Sequence, residues 1–490
     1  MTACRVRIAA QPCPENACPP ARPGCGASSA ARTGIRLRLR LLAGALAVMM
    51  ALPVATGFSR SALAGSGRSA PASASPPQIT LTPPADYKAA LERLLEGHKR
   101  IAAGNADVLA AEAGIAQARG GWYPDLKATA NTGYEQQYRE KESVTSRLHP
   151  RNVGVSVSQT VFDFGRTAAA VEKAGHTHRQ SSASVEQARQ DVLMEGIAAF
   201  INLYRAARSL TYARQSVENI QRQTGLEESR VDLGGGLPTD VLQAKSQLAG
   251  AQARLVRAEG ALTNASNRYR AVFNEPPPLL TSLRMIPLPQ DALPKTLDAA
   301  LAIALDNNPK LRAMRSGVEA ARAEANRVES GELFPRVAAI AEGALREDYS
   351  GTPRSRREGL VRLEVTYPFN LGLAAHHAVS AARQSARAAE NRHDDARDGV
   401  EEQVRNAWQN LITARDNAGF LANQARIAAE FLRLAREERV QGSRSLIDVL
   451  SGETALINAQ SDAATAEADV SLAGFSLLNS MGRLSLLTVP

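Results

Sequence analysis

Four histidines stand in two close pairs, His176/His178 and His376/His377, the arrangement in which a metal site would first be sought. Spacings of two and one put the rings of each pair on different faces of a helix, so neither pair closes on one ion. All four cysteines, Cys4, Cys13, Cys18 and Cys25, precede an export signal. The exported chain is therefore expected to lack disulfides, thiolate metal sites and a cysteine nucleophile. No phosphate-binding loop, nucleophile elbow or HExxH is present. The sequence reads as a non-enzyme without a cofactor, and any energy it uses must come from partners. What stands out instead is a pair of turns that share a token, VDLGGGLPTDVL (231–242) and VQGSRSLIDVL (440–450).

The charge points first toward nucleic acid, because the 490 residues carry a formal +9. Its location removes that reading. Arg32, Arg36, Arg38 and Arg40 precede an apolar run from Leu41 to Val54, and Ala62-Leu63-Ala64 supplies a cleavage site after Ala64. That is the layout of a secretory signal peptide, with an apolar run too short to span a bilayer as a helix. Loss of residues 1–64 removes eight arginines and one glutamate and leaves +2. No nucleic-acid partner is expected, and no cysteine follows the run to carry a lipid anchor. The 22% charged content excludes both a polytopic helical membrane protein and a disordered chain. Only 4% of residues are aromatic, which suits closely packed, Ala-rich helices better than one large core.

The elements that position the two turns come from a duplication with an offset of about 208 residues. Trp122-Tyr123-Pro124 matches Leu333-Phe334-Pro335, and Phe162-Asp163-Phe164-Gly165 matches Phe369-Asn370-Leu371-Gly372; Asp240-Val241-Leu242 matches Asp448-Val449-Leu450. The expected organisation is an upstream segment and signal peptide (1–64), a Pro/Ser/Ala tether (65–85), a first repeat (86–273), a Pro-rich linker (274–295) and a second repeat (296–490). Each repeat opens with a helix (86–120; 296–331). The period then becomes two, which predicts strands over about 124–139 and 152–163, and over 335–347 and 358–369. Their length suits a tilted strand crossing a bilayer, and a soluble hairpin is the other reading. Next comes a long heptad helix, with Val192, Ala199, Ala206, Ala213 and Ile220 in one copy and Val400, Ala407, Ala414, Leu421 and Ala428 in the other; a turn and a returning helix follow.

Four strands cannot close a barrel, and an open sheet edge in lipid leaves backbone groups unpaired. Three chains would supply twelve strands and a hollow helical extension.

At this point the sequence resembles the TolC family of outer-membrane efflux and secretion ducts over nearly all of residues 86–490, most specifically in the two DVL turns. The resemblance implies a mostly α fold with membrane β: two tandem helix–strand–strand–helix–helix repeats, and a homotrimer with a 12-stranded outer-membrane β-barrel continued by a long α-helical tunnel in the periplasm. It implies a periplasmic membrane-fusion adaptor and an inner-membrane transporter, with the ABC type favoured, and export of an unfolded protein such as a toxin by type I secretion. A drug-efflux conduit is the close alternative; a soluble periplasmic coiled-coil adaptor is the alternative of another class. By position, Asp448 falls in the family's constricting aspartate ring, Arg444 at its basic latch, and Thr239 and Asp240 at the latch partners. Ser451 stands where a second aspartate is expected and Arg439 where a tyrosine is, which makes Arg439 an alternative bridge. Helix capping is the other role open to Asp448 and Asp240. Gly234, Gly235, Gly236, Leu237, Gly442, Ser443 and Leu446 are the expected adaptor-docking tips.

Overall fold

The computed structural model describes residues 87–139, 144–235, 237–349, 353–369 and 371–489. The signal peptide, its cleavage after Ala64, the tether, Gly236 and Asn370 lie outside them. The first repeat runs α1 (Tyr87–Gly97), α2 (Lys99–Arg119), β1 (Asp125–Thr132), β2 (Glu135–Arg139), β3 (Val144–Leu148), β4 (Arg151–Phe162), α3 (Arg166–Asp232) and α4 (Pro238–Phe273). The second runs α5 (Leu297–Asn307), α6 (Pro309–Leu333), β5 (Arg336–Glu347), β6 (Ser355–Thr366), α7 (Ala374–Val440) and α8 (Leu446–Ser480). Among the described residues, no helix is long and apolar enough to cross a membrane.

Two details depart from the sequence reading. Each opening helix is broken in two. Asn308 leaves the helical region (ψ 120°) because Pro309 follows it; its Oδ1 accepts the Lys310 N–H at 2.9 Å, and its Nδ2 donates to the Ser480 carbonyl at 2.9 Å. In the first repeat His98 makes the same break (ψ 125°), its Nδ1 accepting the Arg100 N–H. The first expected strand, 124–139, is divided after Thr132 into β1 and β2, and β3 forms within the expected loop before 152. β2 and β3 form a separate two-stranded sheet beyond Gly133 and Pro150, where the Gly133 N–H reaches the Pro150 carbonyl at 3.1 Å.

α3 and α7 are 67 residues each, about 100 Å at 1.5 Å per residue. α2 and α4 flank one side of α3, while α6 and α8 lie between α3 and α7. The helices therefore make four columns in the order α2+α4, α3, α6+α8, α7. The main sheet, β1-β4-β5-β6, follows that same order, because each strand is joined to one column. The core gathers where α1 and α5 pack against the middle of the long helices, around Phe200, Ile197, Leu203, Val400, Val404 and Phe475.

Lys173 on α3 reaches Glu324 on α6 at 3.2 Å, and Arg327 binds the same carboxylate at 2.7 Å. The Arg327 hydrogen bond, helped by Lys173, outweighs desolvation and lowers the Glu324 pKa from 4.5 to about 2. A depressed carboxylate stabilises the fold above its unfolded value and loses that contribution as pH falls through its folded value. Glu324→Gln should therefore melt below the parent at neutral pH, and the gap should narrow between about pH 4.5 and 2, as read by thermal melting across that range.

The main sheet has two chemically distinct faces. In register, Ala128 pairs with Val155, Val155 with Gly343, Leu126 with Val157, Val157 with Ala341, and Ala341 with Val361. With Leu363 and Val365 these form one apolar face, and Leu126, Val153, Val361, Leu363 and Val365 on it are exposed. The opposite face carries Thr129, Asn131, Asn152, Ser156, Ser158, Glu342 and Arg362. Rings collect where the strands meet the helices: Phe162 lies 4.7 Å from Phe164, Phe164 stacks at 5.1 Å on Phe334, and Tyr367 lies 4.6 Å from Phe369.

Candidate functional site

The two glycine turns lie at the sheet-distal end of the columns and end their helices alike. Gly234 and Gly442 both take φ +78°, a region that costs glycine little. The Gly235 N–H donates to the Arg230 carbonyl and the Gly234 N–H to that of Val231, both at 2.9 Å; Ser443 and Gly442 repeat this with Glu438 and Arg439 at 3.0 and 3.1 Å. Both are Schellman motifs, which satisfy the carbonyls a helix end leaves open.

The helices that follow begin differently. Ser445 caps α8, its Oγ accepting the Asp448 N–H at 3.3 Å. α4 starts on Pro238, after Leu237, with no side-chain cap. Asp448 and Asp240 each stand third in their helix, where the dipole favours a carboxylate but neither caps. The capping reading is thereby corrected. Asp448 and Thr239 are exposed, whereas Asp240 is half-buried.

The bridge between the two repeats is made by Arg439. Its Nη2 donates to Glu227 on α3 at 3.1 Å and its Nη1 to the Arg444 carbonyl at 3.3 Å. The Glu227 side chain is only 5% exposed, and Arg230 approaches it at 3.7 Å. One helical turn back, Arg436 reaches both oxygens of buried Glu453 at 2.8 Å, tying α7 to α8. Arg444 does something else. Its Nε sits 2.6 Å from Glu438, with the guanidinium 5.2 Å from the Phe431 ring centre. Within one chain the expected Arg444–Asp240 tie is therefore replaced: Glu438, six residues back across the same turn, takes the Arg444 guanidinium.

Below these pairs lies a small apolar knot. Leu446 and Leu450 pack with Ile220, Ala244 and Ala251, and Leu446 is 4% exposed. Leu446 is thus packing between the hairpins, a correction to its expected place on the docking surface. Leu237, Gly442 and Ser443 are exposed at the tip, and so is Leu233, which was not singled out. Glu227, Glu438 and Glu453 were not singled out either. A signal existed for Glu227: it continues the heptad positions 192, 199, 206, 213 and 220, where an acid interrupts an apolar seam. Among the described residues, no group of three or more His, Cys, Asp or Glu could hold a metal.

Comparison with known proteins gives one family. The "Outer membrane efflux protein" family matches residues 90–275 and 300–483. The outer membrane efflux protein BepC of Brucella suis biovar 1 is 26% identical over 405 residues, covering 81% of this chain and 85% of its own. The alkaline protease secretion protein AprF of Pseudomonas aeruginosa is 24% identical over 365 residues, covering 72% of each. Among solved structures, the outer-membrane channel OprN superposes with a TM-score of 0.72 at 21% identity, covering 81% of this chain and 90% of its own, a likeness of fold.

Proposed function

Because the chain belongs to the outer membrane efflux protein family, we propose that three copies form an outer-membrane export duct: a twelve-stranded barrel continued by a helical tunnel through the periplasm. The observation that carries this reading is the shared order of strands and columns. β1 and β6 pair on one side only. The four strands alternate in direction, so β6 of one copy meets β1 of the next antiparallel, and a ring of such chains has no open edge. The columns expose matching apolar borders, Ile412, Phe420 and Ile427 on α7 and Leu242 and Val256 on α4. The apolar face of the sheet turns to lipid, and the rings at its helix end fit one membrane interface.

The sheet-distal tips are the gated entrance. The Arg439–Glu227 pair holds the two hairpins of a chain together, three Asp448 side chains line the constriction, and Asp240 and Thr239 lie beside it. Leu237, Gly442 and Ser443 face the periplasmic adaptor, which couples the duct to an inner-membrane transporter. For cargo, an unfolded protein delivered by an ABC transporter has AprF in support, and small-molecule efflux has BepC. Purified full-length protein should run as a heat-dissociable trimer, fractionate with the outer membrane and conduct in planar bilayers; a soluble periplasmic monomer would overturn the duct. Comparing secreted proteins and drug sensitivity after deletion separates the cargos: loss of a secreted protein without drug sensitisation supports type I secretion, and the reverse supports efflux.

A further inference from the structure

On the sheet side of the Leu446–Leu450 knot, α3, α4 and α8 leave between them a cavity of about 280 Å³. Its polar lining is unbalanced. Ser209 and Ser216, one heptad apart on α3, share it with Arg254 and Arg257 on α4 and with Asn458 and Ser461 on α8. No carboxylate among the described residues lines it.

Two of these side chains hold polar atoms that nothing in the described chain satisfies. Arg254 lies three residues after Ala251 and four before Ala258, both buried in the α3–α4 contact, so its stem runs along that contact. Its Nε and Nη2 are shielded from solvent and have no hydrogen-bond partner. These two nitrogens form one edge of the guanidinium, the side-on fork that fits the two oxygens of a carboxylate or phosphate. Ser216 is 2% exposed and its Oγ is equally unpaired, although Thr211 and Thr224 on the same helix bond the carbonyl four residues back at 2.9 and 2.8 Å. Arg257 gives its Nε to the Ala253 carbonyl at 3.3 Å and meets no carboxylate among the described residues.

A shielded guanidinium without an acceptor is costly, and a second one three residues along the helix adds like-charge repulsion. Water accepts such bonds but does not balance the charge. An oxyanion does both, taking the Arg254 fork, the attraction of Arg257 and the Ser216 hydroxyl as a further donor. We infer that this cavity binds a small oxyanion, a phosphate or a carboxylate, one per chain. The anion ties α8 of the second repeat to α3 and α4 of the first, one helical turn from Ile220 in the apolar knot. The site lies within one chain and does not rest on the trimeric barrel.

The test is isothermal titration calorimetry of the full-length protein in detergent, with inorganic phosphate and succinate titrated in turn at fixed ionic strength in chloride buffer. Saturable binding near one anion per chain is expected, and the tighter of the two names the class. Arg254→Gln should weaken it about tenfold or more, as loss of a charge-assisted fork requires, and Ser216→Ala should weaken it several-fold. Ser216→Ala stands in for Arg254→Gln if that variant fails to assemble. Arg214→Gln, on α3 but exposed and 3.9 Å from Glu259, should bind like the parent. No saturable binding of either anion, parental affinity in Arg254→Gln, or an equal loss in Arg214→Gln would overturn the inference. So would loss of the trimer in Arg254→Gln beside a parent that binds neither anion, which would give the Arg254 fork to a carboxylate of a neighbouring copy.

Discussion

Replacing Arg439 by alanine should open the periplasmic end of the duct, seen as a several-fold rise in single-channel conductance. Arg439 is the side chain that crosses from α7 to α3, and without it Glu227 is left 5% exposed with only Arg230, 3.7 Å away. Stranding a desolvated carboxylate costs roughly 2–4 kcal/mol. Separation of the hairpins relieves that cost, because it lets water reach Glu227, so the mutation drives the opening. Glu227→Gln should act in the same direction but more weakly, since Arg439 keeps the Arg444 carbonyl and some solvent. The double variant should open less than the sum of the two single changes, as a shared interaction requires. Arg444→Ala is the contrast: its partner Glu438 is 46% exposed and lies on the same turn, a pair worth about 0–1 kcal/mol. Parental conductance in Arg439→Ala, or an equal rise in Arg444→Ala, would remove the Arg439–Glu227 latch from the mechanism.

Val157→Arg should abolish the outer-membrane trimer. Val157 lies near the middle of β4 on the apolar face, opposite Leu126 on one side and Ala341 on the other. A lipid-facing arginine at the bilayer midplane costs about 2–4 kcal/mol, and every trimer carries it three times. Ser156→Arg, one residue away, points to the polar face and should assemble normally. Heat-dissociable trimer in outer-membrane fractions is the readout; equal yields from the two variants would mean that the faces are misassigned.

How much of this was legible depends on how each feature is encoded. The long helices and the strands declare themselves because burial on one face imposes a period, 3.5 or 2, that a single chain displays. The helix breaks are subtler. Asn308-Pro309 carries a local cause in its proline, while at His98 the marker is weaker, Gly97 ending α1 just before it, and the His98 ring caps the helix that follows. β2 lies inside the expected first strand, and only β3 was missed, because residues 144–148 stand in a polar stretch before His149 and Pro150 that gives no apolar alternation to extend.

The Arg439–Glu227 pair was half legible. Arg439 attracted notice as a departure at its position, and it also continues the seam positions 404, 411, 418, 425 and 432. Glu227 ends the other seam, in the first repeat, after positions 192, 199, 206, 213 and 220. Each is a charge where the pattern demands an apolar residue, and such a violation is affordable only with a partner. Pairing them across more than two hundred residues needed the fold. The Arg444–Asp240 tie failed within the chain for a local reason: a carboxylate on the same turn is reached at far less entropic cost than one on another hairpin.

The two hairpin tips share one turn geometry yet differ in what stands behind it. Where the second repeat has Arg439 the first has Val231, and where the first has Glu227 the second has Ala435. In the proposed trimer the six tips are therefore alike in backbone and alternate in chemistry, a true threefold wearing an approximate sixfold. A partner that reads only the shared turns can bind at all six positions, and one that reads side chains can bind at three. The duplication thus fixes the stoichiometries open to any ring that caps the tube.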